Sequence, residues 1–393
     1  MDSAADAGAG RQTKRAKAQA PQKAPVPPKS SKTPIAQNVL VFQGGGALGA
    51  YQAGVYHALS EGGIEADWVI GTSIGAINGA LIAGNEPKNR LARLREFWDL
   101  ISTRPVEQPW SPAYFAALFS PGASQVLQGV PNFYEANRHA NWGLNASVGV
   151  ERAAFYGTEP LRRTLTGLVD CNYLNAHHTR LTVGAVNVRT AEMRYFDSRD
   201  MPLGVDHIMA SGAIPPAFPA IRIDGETYWD GGLYSNTPME AVLDDKPRRN
   251  SLIFSVNMWQ PRAEEPGSIW DVLNRQKDIQ FASRAQSHVA RQEQLHRLRH
   301  IVRELGMRLP PEQREDPAVR ELTSYGCATT MHLVLLLLPR AADGKSKDID
   351  FTRAGVRERW QTGYEHARRV LASKPWEGEV GALDGIVIHD ATQ

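Results

Sequence analysis

The stretch NVLVFQGGGALGAYQAGVYHALSEGGIEADWVIGTSIGAINGALIAG, residues 38–84, reads as strand, glycine loop, helix, strand, sharp turn, helix. Asn38 to Gln43 is a short apolar run stopped by three consecutive glycines, as a buried strand entering a tight turn would be. Ala50 to Ser60 sets Ala53, Tyr56, His57 and Ser60 at helical spacing ahead of Gly62-Gly63, a helix stop. Trp68 to Thr72 is a second strand, and the small residues of Ala76 to Gly84 continue from it as a helix able to pack tightly on a sheet. This alternation predicts the α/β class, with a central, mostly parallel sheet flanked by helices.

Working outward, Leu181 to Val188, Leu252 to Trp259 and Met331 to Leu338 read as further buried strands, so the sheet is expected to continue late into the 393-residue chain. Ile279 to Leu305 is a long helical stretch rich in arginine, read as a solvated face. Val356, Trp360, Tyr364, Ala367 and Leu371 recur at spacings of three or four, an amphipathic helix that must dock on the main domain. Residues 97–143 collect Phe97, Trp98, Trp110, Tyr114, Phe115, Phe119, Phe133, Tyr134 and Trp142 among prolines and glycines without a clean period. They are read as an insertion, either a lid or lipid-entry rim or a plain packing layer.

Residues 1–37 carry seven Lys and Arg against two Asp and almost no large apolar side chain. Such a segment cannot bury enough surface to offset the entropy of ordering, so a disordered basic tail is expected. The whole chain has a formal charge of only +2. No nucleic-acid partner is expected from that balance, and membrane contact is expected to be peripheral at most. No apolar stretch of signal-peptide length follows the tail's charges, and the longest apolar run, Leu333 to Leu338, is far short of the ~20 residues that span a bilayer. Cys171 and Cys327 are the only cysteines and offer neither a disulfide framework nor metal-ligand spacing. A cytoplasmic location with no metal or cofactor is the expectation.

Gly71-Thr72-Ser73-Ile74-Gly75 is a GxSxG sequence between a strand and a helix, the setting in which flanking glycines permit a cramped turn that projects the serine hydroxyl outward. Ser73 would also sit at a helix N-terminus, where the dipole favours negative charge. Gly44, Gly45 and Gly46 can supply unobstructed backbone N–H groups to an oxyanion. The same run satisfies GxGxxG from Gly44 to Gly49, so a nucleotide- or phosphate-binding module is a rival. Against it, the acidic residue needed at the end of the second strand is replaced by Gly71-Thr72-Ser73. For a base, Asp230-Gly231-Gly232 places a carboxylate in a glycine turn after the strand-like Glu226 to Trp229, although Asp-Gly is also the signature of a plain hairpin turn. A further rival is an α/β-hydrolase triad completed by His288, His296, His300, His332, His366 or His389, all of which follow Asp230.

Three blocks, QGGGALGAYQAGV (Gln43–Val55), GTSIGAING (Gly71–Gly79) and SGAIPPAFPAIRIDGETYWDGGLYSNTP (Ser211–Pro238), together resemble those of the bacterial patatin-like phospholipases. The resemblance implies a three-layer α/β/α fold and a metal-free lipid acyl hydrolase of the phospholipase A, lysophospholipase or esterase type. It implies Ser73 as nucleophile and Asp230 as base in a dyad, Gly44, Gly45 and Gly46 as the oxyanion hole, and Gly71, Gly75, Gly231 and Gly232 as supporting glycines. It covers residues 38–260, the expected catalytic domain, and leaves 261–393 as a C-terminal extension packing on it. Where many family members carry Arg or Lys, this chain has Leu48. A cationic contact to a headgroup is missing there, so neutral acyl esters and small polyesters stay in range beside phospholipids.

Overall fold

A computed structural model describes residues 34–103, 129–340 and 347–391. Residues 1–33 of the expected basic tail, and Trp110, Tyr114, Phe115 and Phe119 of the aromatic insertion, lie outside them. The regular pairing starts ahead of residue 38: the Ala36 N–H donates to the Asn250 carbonyl at 2.8 Å, and Gln37 pairs with Ser251.

The strands in chain order are β1 (Gln37–Phe42), β2 (Trp68–Gly71), β3 (Glu135–Ala136), β4 (Tyr156–Gly157), β5 (Arg180–Asn187), β6 (Met193–Asp197), β7 (Ile221–Ile223), β8 (Glu226–Asp230), β9 (Ser251–Asn257), β10 (Met331–Leu337) and β11 (Ile386–Asp390). The helices used below are α1 (Ala50–Glu61), α2 (Ile74–Ala83), α3 (Pro87–Leu100), α4 (Glu159–Leu168), α5 (Val205–Ser211), α6 (Met239–Leu243), α7 (Ile269–Arg308) and α8 (Arg353–Ser373).

One sheet runs in the order β11-β10-β9-β1-β2-β5-β8-β7, with β6 also pairing to β5. Neighbours from β11 through to β5 are parallel; β6, β7 and β8 form the antiparallel side. The central strands are unbroken apolar runs because both of their faces are covered, as parallel sheets require. In β1, Leu40 and Phe42 belong to the core beneath α1, α2 and α3, while Val39 and Val41 belong to a second core with Met239, Val242 and Val289. Helices on both faces of a mostly parallel sheet make the α/β/α architecture expected from the sequence.

The amphipathic stretch near the end is α8, and it docks on α1. The approach is backbone to backbone. A Cβ on Gly54 would strike the Trp360 carbonyl and one on Gly363 the Tyr51 carbonyl, so this crossing demands glycine on both helices. Meanwhile β9 pairs with β10 from Ser251 to Asn257, which carries the sheet across residue 260 into the C-terminal region. No helix among the described residues is long and apolar enough to cross a membrane.

Candidate active site

β2 ends at Gly71, and α2 begins at Ile74 with Ser73 between them at φ 57° and ψ −125°. A non-glycine residue in that region is strained, at a typical cost of ~1–3 kcal/mol, and persists only where its surroundings over-determine it. Here they do. The Ser73 N–H donates to the Ser211 carbonyl at 3.1 Å and also lies 3.1 Å from Ser211 Oγ, while Ala76 and Ile77 return N–H bonds to the Ser73 carbonyl. Gly71 and Gly75 are dictated by the same cramping. A Cβ on Gly71 would run into the Gly75 carbonyl, and one on Gly75 into that of Phe42.

Asp230 ends β8 and is 2% exposed. It is not the centre of a hairpin turn. That turn is Asp224-Gly225, with φ of 50° and 85°, between β7 and β8. Asp230 instead opens a short 3-10 turn over Gly231–Leu233, where its Oδ1 accepts the Gly232 N–H at 2.7 Å. Ser73 and Asp230 line the same cavity. Burial pushes the Asp230 carboxyl up to about 7, and the nearby Ser73 hydroxyl and the Gly232 N–H pull it only part of the way back.

The glycine run leaves β1 and is fixed by its surroundings one peptide at a time. Asn236 Nδ2 (3.0 Å) and Trp259 Nε1 (2.7 Å) both donate to the Gly44 carbonyl. In a trans peptide the next N–H points the opposite way, so the Gly45 N–H faces away from these two side chains. The Gly45 carbonyl accepts from the Leu48 N–H at 3.1 Å, which turns the Gly46 N–H away likewise. The Gly44 N–H, expected as an oxyanion donor, is already given to the Asn236 carbonyl at 3.1 Å. The N–H groups of Gly45, Gly46 and Ile74 have no acceptor among the described residues. All three residues line one cavity of about 400 Å³ with Ser73 and Asp230. Ile74 was not singled out in the sequence, although the residue after a serine elbow is a recurrent donor.

Gln43, Ser211, Asn236 and Trp259 were likewise quoted or passed over without a role. Buried Gln43 explains why the loop holds still. Its Nε2 donates to Thr237 Oγ1 (2.7 Å) and to the Phe281 carbonyl (3.2 Å), and its Oε1 accepts the N–H groups of Met258 (2.5 Å) and Trp259 (3.2 Å). The rest of the cavity wall is largely apolar and includes Ile77, Phe133, Tyr134, Phe218, Phe281 and Phe351. Phe97 and Trp98 of the aromatic stretch are buried in the core, whereas Trp142 is exposed. Leu48 is fully buried.

None of the six downstream histidines lines this cavity. His366 meets the Tyr51 hydroxyl (2.6 Å), His332 pairs with His389 (3.0 Å), and His300 contacts the Thr329 carbonyl (2.9 Å). A phosphate cradle is also disfavoured, since carbonyls of Asn236 and Asp348 already occupy the N–H groups of Gly44 and Ala47. Among the described residues no cluster of three or more His, Cys, Asp or Glu is placed to hold a metal ion.

A family model described as a patatin-like phospholipase matches residues 40–243, just over half of the chain, and one described as a patatin phospholipase matches residues 279–382. The chain is 61% identical over 44 residues (11% of its length) to the lysophospholipase nte1 of Aspergillus terreus. It is 44% identical over 59 residues (15% of its length) to a patatin-like phospholipase domain-containing protein of Caenorhabditis elegans. It spans only 3% and 5% of those two relatives. Among solved structures, VipD from Legionella pneumophila is similar at 16% identity over 87% of this chain and 68% of that one, with a TM-score of 0.41. The type III effector ExoU is similar at 14% identity over 87% and 54%, with a TM-score of 0.34.

Proposed function

The chain belongs to the patatin-like phospholipase family, and from that premise we propose that it hydrolyses carboxylic esters of lipids through an acyl-enzyme on Ser73. The observation that carries this reading is a serine on a strained turn that lines one cavity with a buried carboxyl whose pKa burial pushes up to about 7. A carboxylate at its ordinary pKa is a weak base for a hydroxyl; one lifted toward neutrality is matched to the task.

Ser73 Oγ attacks the acyl carbonyl carbon while its proton passes to the Asp230 carboxylate. The tetrahedral oxyanion takes N–H bonds from Gly45, Gly46 and Ile74, the last at the positive end of α2. As the intermediate collapses, the leaving alcohol takes the proton from Asp230 and the acyl group stays on Ser73. Water then gives a proton to Asp230 as it attacks the acyl carbon, and when this second intermediate collapses Asp230 returns the proton to Ser73 Oγ, which releases the carboxylic acid and restores the dyad. The aromatic wall suits an apolar acyl chain, in keeping with the phospholipase and lysophospholipase names of the relatives. The largely apolar wall takes neutral esters as well as phospholipids, and Leu48, fully buried, does not line the cavity. Contact with a lipid surface is expected to be peripheral.

The test is intact-mass spectrometry after a fluorophosphonate probe, with p-nitrophenyl ester turnover alongside, on wild type and Ser73→Ala. A single adduct and turnover, both lost on substitution, are expected. Turnover that survives Ser73→Ala would overturn the assignment.

A further inference from the structure

Residues 347–351 cross from the C-terminal region to the glycine loop. The Asp348 carbonyl accepts the Ala47 N–H at 2.9 Å. Gly46, at φ 55°, lies so close beneath that carbonyl that a Cβ there would collide with it. The segment is tied to α7 by two ion pairs between adjacent residues of opposite sign. Lys277 Nζ meets Asp348 Oδ2 at 2.6 Å, and Lys347 Nζ meets Asp278 Oδ1 at 2.8 Å. The second pair is buried, and Asp278 Oδ1 also accepts the Gln260 N–H at 3.1 Å. The Lys347 ammonium further stands 5.2 Å from the centre of the Trp259 ring, whose indole N–H holds the Gly44 carbonyl.

The strap therefore reaches the loop at both ends, at Ala47 through the Asp348 carbonyl and at Gly44 through Lys347 and Trp259. Between those anchors lie Gly45 and Gly46, whose N–H groups the hydrolase reading assigns to the oxyanion. We propose that Lys277, Asp278, Lys347 and Asp348 form a clasp of positioning residues by which the C-terminal region sets the geometry of the oxyanion donors. The inference rests on that reading. Its physical basis is that donors act on the transition state only where they are aimed, and a displacement of about 1 Å at such a group costs up to ~10²-fold in rate.

The Lys277–Asp348 pair is partly exposed (40% and 18%) and can be varied without leaving a fully buried charge. The experiment compares wild type, Lys277→Gln, Asp348→Asn and the exchanged pair Lys277→Asp with Asp348→Lys. It measures kcat and KM on a soluble short-chain p-nitrophenyl ester, affinity for an alkylboronic acid that forms a tetrahedral adduct on serine, and thermal melting. Each single variant is expected to lose about 10-fold or more in kcat with KM within about 2-fold, and to lose boronate affinity in proportion. The exchanged pair is expected to regain most of both. Should Asp348→Asn melt early, Lys277→Gln on the 40-residue α7 carries the same comparison. Folded single variants with wild-type kcat would overturn the clasp. So would a rise in KM alone, which would make Lys277 a substrate contact, or a loss that the exchange does not recover. An absence of Ser73-dependent turnover in the wild type is a different failure, that of the hydrolase reading itself.

Discussion

Replacing Asp230 by Asn should make the protein more stable relative to wild type as pH rises, while sharply lowering its turnover. A carboxyl that ionises near 7 when folded and near 3.8 in its ordinary state binds more protons folded than unfolded between those values. Stability therefore falls with rising pH across that window, at about 1.36 kcal/mol per pH unit, and levels off above 7. From pH 5 to pH 8 the loss amounts to roughly 3 kcal/mol, and Asn, which does not ionise, escapes it. The Asn side chain still accepts from Gly232 but leaves its amide hydrogens short of partners, a penalty of about 1–3 kcal/mol. That penalty is the same at both pH values and cancels in the comparison. The assay is urea unfolding of both proteins at pH 5 and pH 8, and the stability of the variant relative to wild type should rise by roughly 3 kcal/mol. In wild type, kcat/KM on a neutral ester should rise as pH passes through about 7, and Asp230→Asn should lower it by about 10²–10⁴-fold above that pH, with the gap narrowing below it. Parallel pH dependences of stability in the two proteins would refute the argument, because they would mean that no buried carboxyl ionises late at this position.

Gly75→Ala places a methyl 2.9 Å from Phe42 Cβ and against the Phe42 carbonyl. A drop of about 3 kcal/mol or more in stability with loss of ester turnover is expected, and a stable, active variant would show that the turn at Ser73 can relax. Phe218→Ala removes a ring set against Phe133 (6.2 Å), Tyr134 (5.2 Å) and Tyr156 (6.3 Å). It should raise kcat/KM for long acyl esters relative to short ones, and an unchanged ratio across a chain-length series would take the acyl chain out of this cavity. Arg180→Met strips the guanidinium from Asp197 (2.7 Å) and Asp245 (3.1 Å), both largely buried. Uncompensated carboxylates of that kind cost about 3–5 kcal/mol, so a melting temperature within a degree of wild type would contradict the assigned pairs.

The strands beneath the site were legible because both faces of β1, β2, β5, β9 and β10 are covered, and their apolar runs end within one or two residues of the pairing seen. The start of α7 was not. The helix begins at Ile269, ten residues before the periodic stretch, because Ile269, Val272 and Leu273 are exposed and make no buried stripe. A local signal was present: Ser268 Oγ accepts the Asp271 N–H at 3.1 Å and donates to its carboxylate at 2.6 Å, a cap spaced as Ser-x-x-Asp. The resemblance implied Asp230 as the base, but the burial that raises its pKa was not legible, since distant segments create it. The commitment of the Gly44 N–H was equally hidden, because its acceptor, Asn236, lies 192 positions away.

That distance bears on how substrate choice is built. The groups proposed to react sit on short motifs at strand ends, where local geometry fixes them: Ser73 after β2, Asp230 at the end of β8, and the glycines after β1. The wall that a substrate would touch comes from elsewhere, from Phe133 ahead of α4, Phe218 between α5 and β7, Phe281 on α7 and Phe351 ahead of α8. No periodicity in one segment reports on the others, because each ring is placed by its own element and they meet only in the folded chain. Changes at Phe218 or Phe281 are expected to alter which ester is taken while leaving the Ser73 turn intact. Lys277 and Asp348 line the same cavity, and the clasp proposal has their changes act through the glycine loop on how fast any ester reacts.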